Sequence, residues 1–92
     1  MTGTKRTTSE EARRVGEAIG VDWERFDLEQ FRRGMDVEFE HGSHDPQTDV
    51  TGDDPIMTGK IALAHMKEFP DYYERLERME EEAKRDWAAK DA

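Results

Sequence analysis

No cysteine occurs among the 92 residues. Disulfides and thiolate metal sites are therefore excluded, and any metal must be held by His, Asp, Glu or water. Nor is there an apolar run near the roughly 18 residues that a membrane span needs. The stretch Met1 to Thr8 has no apolar centre of the kind a signal peptide carries. The expectation is a protein of the cytoplasm that does not enter a membrane. Basic residues are scarce: 14 Lys and Arg stand against 23 Asp and Glu, for a net charge of -9. Such a field repels phosphate backbones, and the pairs Arg13-Arg14 and Arg32-Arg33 are too short to offset it, so no nucleic-acid partner is expected. The length suffices for one domain, near the small end of what buries a self-sufficient core.

The pattern that is present is helical. Thr8-Ser9-Glu10-Glu11 reads as a capping box, with an apolar stripe at Ala12, Val15, Ala18 and Ile19 and a left-handed cap at Gly20. Trp23 and Phe26 crowd a short connection and read as core anchors. Asp27 caps a second helix with Leu28, Phe31, Met35 and Phe39 at near-helical spacing. Gly34 inside it costs about 1 kcal/mol relative to alanine, which points to close approach of another element. Gly42 ends this helix and leaves His41 in the last turn.

Residues 42–54 form a long acidic loop between helices two and three. Its aspartates lack the spacing of a calcium loop and read as turn and cap chemistry, with Asp54-Pro55 opening the third helix. That helix, Pro55 to about Phe69, is apolar nearly all round and is expected to be central. Pro70 breaks it, and a last helix follows with a narrow stripe at Tyr72, Leu76, Met79 and Ala83. The expected fold is all-α, a compact bundle of about four helices. Residues 1–7 and 88–92 are expected to be flexible about a single domain at 8–87.

Two histidine–glutamate pairs stand out. Glu38 with His41, and His65 with Glu68, are each three residues apart, so each pair shares a helix face. Facing one another, they would make a His2Glu2 set suited to zinc, iron or manganese. A quarter of the chain is acidic, so the pairing alone is weak evidence. The setting adds weight, because His65 interrupts an apolar helix where an unpaired ring is costly. Geometry adds a condition. His65 lies about 15 Å along its helix from Pro55, so the pairs meet only if helices two and three are crossed or roughly parallel.

The competing reading is a structural polar cluster in which His65 bonds Glu38, Glu68 or Tyr72. Glu40, Tyr72 and Tyr73 are its expected outer members. A helix C-terminus by itself accounts for His41. Catalysis is not expected, since no nucleophile–base pair, phosphate loop or oxyanion motif is present.

Glu38-Phe39-Glu40-His41-Gly42, the turn Thr51-Gly52-Asp53-Asp54-Pro55, and Thr58 to His65 running into Glu68-Phe69-Pro70-Asp71-Tyr72-Tyr73 carry a resemblance. Over residues 15–80 the chain resembles an uncharacterised family of small bacterial and tailed-virus proteins. Its marks are a Glu-x-Glu-His-Gly motif and a His-x-x-Glu-x-Pro-Asp-Tyr-Tyr segment. The resemblance implies a self-contained domain and adds a virus particle assembled in the cytoplasm as a setting. The acidic, lysine-poor composition looks halophilic. Two functions follow as expectations. One is a small non-enzymatic helical protein whose Glu38, His41, His65 and Glu68 hold a divalent metal for structure. The other is a metal-free interaction module, an accessory or structural component of a viral particle, meeting a protein partner or itself through Trp87 or the acidic loop.

Overall fold

The computed structural model describes residues 7–91. Four helices follow in order: α1 (Ser9–Ile19), α2 (Leu28–Glu38), α3 (Pro55–Glu68) and α4 (Tyr72–Asp91). Among the described residues there is no strand, as an all-α pattern requires. Local chemistry sets the boundaries. Thr8 and Glu11 close a reciprocal capping box, and Gly20 ends α1 in the left-handed region at φ 84°. Asp27 caps α2 through the Gln30 N–H, and Asp54 caps α3 through the Met57 N–H with Pro55 at the first helical position.

The core gathers Ala12, Val15, Val21, Phe26, Phe31, Met35, Phe39, Ala62, Met66 and Tyr73. Phe26 is buried as expected, whereas Trp23 is half-buried and meets Phe31 edge to face, 5.6 Å between centroids. α2 and α3 form the central pair, with α1 across both and α4 against their far ends. A side chain on Gly59 of α3 would touch Phe31 of α2, and His65 reaches Glu38. These contacts advance together along both helices, so α2 and α3 run in the same sense. α3 is less enclosed than its composition suggests. Thr58, Gly59, Ala62 and Met66 are buried, but Ile56, Met57 and Phe69 are exposed.

α2 tightens at its end into a 3₁₀ turn, Phe39–His41, and Gly42 follows in extended backbone. A side chain at Gly42 would strike the Asp53 carboxylate, which accepts the Ser43 N–H and hydroxyl. The acidic loop is held by such bonds. Asp45 accepts from Gln47 N–H, Asp49 from Gly52 N–H, and the His41 carbonyl from Val50 N–H at 2.7 Å. Its carboxylates thus serve turns, including the left-handed pair Gly52 and Asp53.

Thr7 is buried, its N–H donating to Asp36 Oδ1 at 2.6 Å, so it belongs to the packed unit. α4 continues through Asp91, past the expected boundary at 87. The rest of the expected N-terminal arm, residues 1–6, and residue 92 lie outside the described residues.

Twenty residues make α4 about 30 Å long, while its contacts lie near its start. Tyr73 is buried against Gly34, Leu76 packs on the core, and Arg33 of α2 bonds Glu77. Beyond Glu80, whose charge still acts on Glu40, the helix leaves the body. The chain measures 46 × 29 × 21 Å with a radius of gyration of 14.0 Å, against about 12 Å for a compact domain of this length.

Candidate functional site: a buried Glu–His–Tyr cluster

Glu38, the last residue of α2, is buried in a protein whose other glutamates largely face water. A carboxylate there requires donors. Tyr73, in the first turn of α4, supplies one: its hydroxyl donates to Glu38 Oε2 at 2.7 Å. His65 of α3 supplies the other, with Nδ1 at 3.0 Å from the same oxygen and 3.0 Å from the Tyr73 hydroxyl. A carboxylate only accepts, so Nδ1 carries a proton and donates to Glu38. Tyr72 stacks on the imidazole, 4.6 Å between centroids and 7° between planes. Burial, then the Glu38 charge and its hydrogen bond, push the Tyr73 hydroxyl far above its usual pKa, so it stays a donor.

Gly34 makes this arrangement possible. One turn before Glu38, it lets the Tyr73 ring lie against the α2 backbone, where a side chain would overlap it. The same-sense course of α2 and α3 then brings His65 alongside. Three helices are pinned at one point.

The expected four-ligand set assembles only in part. Glu38 and His65 meet directly. His41 sits on the 3₁₀ turn, more than half exposed, with Nε2 4.0 Å from Glu38 Oε1. Glu68 is exposed at the end of α3 and makes none of the cluster's contacts, because His65 turns inward and the residue three positions on faces water. Among the described residues, no group of three or more His, Asp or Glu side chains is gathered closely enough to hold a metal ion.

Glu40 is half-buried beside the cluster. Burial, then the charge of Glu80 on α4, raise its pKa above the ordinary value. Trp87 stands far out on α4, exposed, with the Lys90 ammonium 5.0 Å from its ring centroid. Spacing favours Glu68, yet Tyr73 is the closest partner of Glu38; its place three residues after Pro70, at the start of α4, is the signal in the sequence. Spacing gives no sign of the partners of Asp36 and Thr58. Asp36 holds Thr7, and Thr58, fully buried, donates to the Asp54 carbonyl.

Chemically, a carboxylate that fixes Nδ1–H orients an imidazole, a device useful for a base or a ligand. The hydroxyl beside it is that of Tyr73, and Glu68 stays exposed rather than pairing with it. No helix among the described residues is long and apolar enough to cross a membrane. No curated protein and no solved structure matches the chain. A family profile described as Protein of unknown function (DUF5661) matches residues 12–82, which takes in most of α1, all of α2 and α3, the Glu–His–Tyr cluster and the first half of α4. The chain belongs to that family.

Proposed function

We propose that the chain is a non-enzymatic helical interaction module. In this reading the Glu38–His65–Tyr73 cluster fixes the fold, and the outer half of α4 makes the contact. One observation carries it: Met79 and Trp87, 56% and 63% exposed, share one face of a helix that leaves the body. Large exposed side chains aligned on one face mark an interaction site more often than scattered ones do. An accessory role in a viral particle is a setting that fits such a module. The test is a photo-cross-linking residue at position 87, with a second at Glu10 on the exposed side of α1 as control. A product of one discrete mass from position 87 alone supports the reading. No product from position 87, or the same products from both, rejects it.

A structural divalent metal is the second reading, with zinc, iron or manganese as candidates. Its support is that the Glu38 carboxylate lies between two imidazoles, His65 at 3.0 Å and His41 at 4.0 Å. Metal binding would require His65 to give up its Nδ1 proton or turn its ring. Elemental analysis and melting with and without chelator decide it. Stoichiometric metal with a large chelator-induced drop establishes the site; no metal and an unchanged melt remove it.

A further inference from the structure

The interaction reading leaves the partner open, and α4 itself narrows it. Leu76, Met79, Ala83, Trp87 and Lys90 recur at three- and four-residue steps, so they fall within one stripe along the helix. Leu76 is half-buried at the body, while Met79 and Trp87 lie in water. A stripe this narrow is the seam of a helix pair rather than the broad face of a helix packed on a core.

Charge along α4 divides at Ala83. Before it, Glu74, Glu77, Glu80, Glu81 and Glu82 outweigh Arg75 and Arg78. After it, Lys84, Arg85 and Lys90 outweigh Asp86 and Asp91 by one charge. Two such helices laid parallel would set acidic half on acidic half and crowd the bodies of two chains, each chain of net charge -9, at one end. Laid antiparallel, each acidic half meets a basic half, and the bodies lie at opposite ends. Ala83 then sits near the crossing, where a small side chain permits close approach, and Met79 of one copy packs towards Trp87 of the other.

Resting on the interaction reading above, we infer that the partner is a second copy of this chain, docked antiparallel through α4 about Ala83. Residues 76–90 make a contact about 22 Å long. Its few apolar side chains bury less than the roughly 1,600 Å² of a standard stable interface. The dimer is therefore weak, held in the micromolar to millimolar range, and forms where the protein is concentrated.

Sedimentation equilibrium of the full chain over that range gives the test. The wild type shifts from monomer to dimer as concentration rises. Trp87→Ala, which removes a central aromatic anchor, weakens the dimer by roughly thirtyfold, with an unchanged thermal melt because the ring is outside the body. A spin label at position 90 fixes the orientation, its two copies lying about 20 Å apart along the helices when antiparallel and side by side when parallel. Two charge variants test the charge pairing. E80K/E81K makes both halves of α4 basic, and K84E/R85E makes both acidic. Each alone is monomeric in the antiparallel arrangement, and their mixture restores the dimer. Helix content by circular dichroism controls for unwinding of α4. A wild type that stays monomeric throughout overturns the proposal. So does a wild type that dimerises while the mixed variants do not. If the wild type is monomeric but position 87 still cross-links to a discrete heavier product, self-pairing falls and the module reading stands. If cross-linking fails as well, both fall.

Discussion

Replacing Tyr73 by phenylalanine isolates one hydroxyl in the buried cluster. The ring stays against Gly34, so packing is retained, while Glu38 loses its 2.7 Å donor and keeps only His65. A hydrogen bond to a charged acceptor contributes about 1.5–3 kcal/mol, and the buried carboxylate cannot recruit water in its place. A domain of this size has a total stability of only about 5–14 kcal/mol, so the loss is a large share. Each kcal/mol moves the melting temperature by about 4–8 °C at this length. Tyr73→Phe should therefore melt well below the wild type in urea and thermal unfolding at pH 7, with the urea m-value unchanged. The double variant with Glu38→Gln should lose less than the sum of the two single changes, because both disturb the same bond. A Tyr73→Phe change under about 0.5 kcal/mol, the usual range for a surface substitution, would refute the reasoning. It would mean that the carboxylate is served by solvent and that the cluster does not hold α4 down.

Alkaline titration tests the same hydroxyl by another route. The Tyr73 pKa is raised from 10.0 by burial and Glu38, so its contribution is full below pH 10 and is lost as pH rises beyond it; the wild type should lose stability there more steeply than Tyr73→Phe. Gly34→Ala gains about 1 kcal/mol of helix propensity but must displace the Tyr73 ring, so urea unfolding should show net destabilisation; a stabilised variant contradicts the close packing. Glu80→Gln removes a charge that raises the Glu40 pKa, so NMR titration should place Glu40 nearer the ordinary carboxylate value than in the wild type. Thr8→Ala removes the α1 cap and should cost about 0.5–2 kcal/mol in urea unfolding, with Ser9→Ala as an indifferent control.

Helix boundaries were legible because each is written locally. Thr8, Asp27 and Asp54 cap through their own side chains, and Gly20 alone at φ 84° suits the left-handed end of α1. Asp45 and Asp49 in the loop were legible for the same reason, since they bond backbone two or three residues away, whereas Asp53 reaches Ser43 ten residues back. Glu38 and His65 were visible as polar residues within apolar helices. Their pairing required α2 and α3 to run in the same sense, which spacing alone could state only as a condition. Glu68 shows the limit of a spacing rule. Residues three apart share a face, yet only the rotation of α3 against α2 decides which of them meets the partner helix. α3 is central, as its composition suggests, paired with α2 and touched by α1 and α4, but that composition does not reveal that Ile56, Met57 and Phe69 stay exposed. The overhang of α4 was equally hidden, since a narrow stripe looks the same packed inside a bundle or extended beyond it.

The cluster and the overhang are linked through one residue. Tyr73 is buried in the first turn of α4, and the Arg33–Glu77 ion pair steadies the next turn. These contacts fix the direction in which the remaining three turns and more depart. Polar contacts suit this purpose better than apolar ones. A greasy first turn could slide or rotate on α2 at little cost, whereas the Tyr73 hydroxyl reaches Glu38 in one rotation only. Loosening the cluster should therefore do more than lower stability. In Glu38→Gln, which keeps the shape of the side chain, α4 should remain helical while its direction relative to α2 becomes variable. Paired spin labels at positions 10 and 90 would report this as a broadened distance distribution. An unchanged narrow distribution would show that Leu76 and Arg33 suffice to aim the helix, and would leave the cluster as a contributor to stability alone.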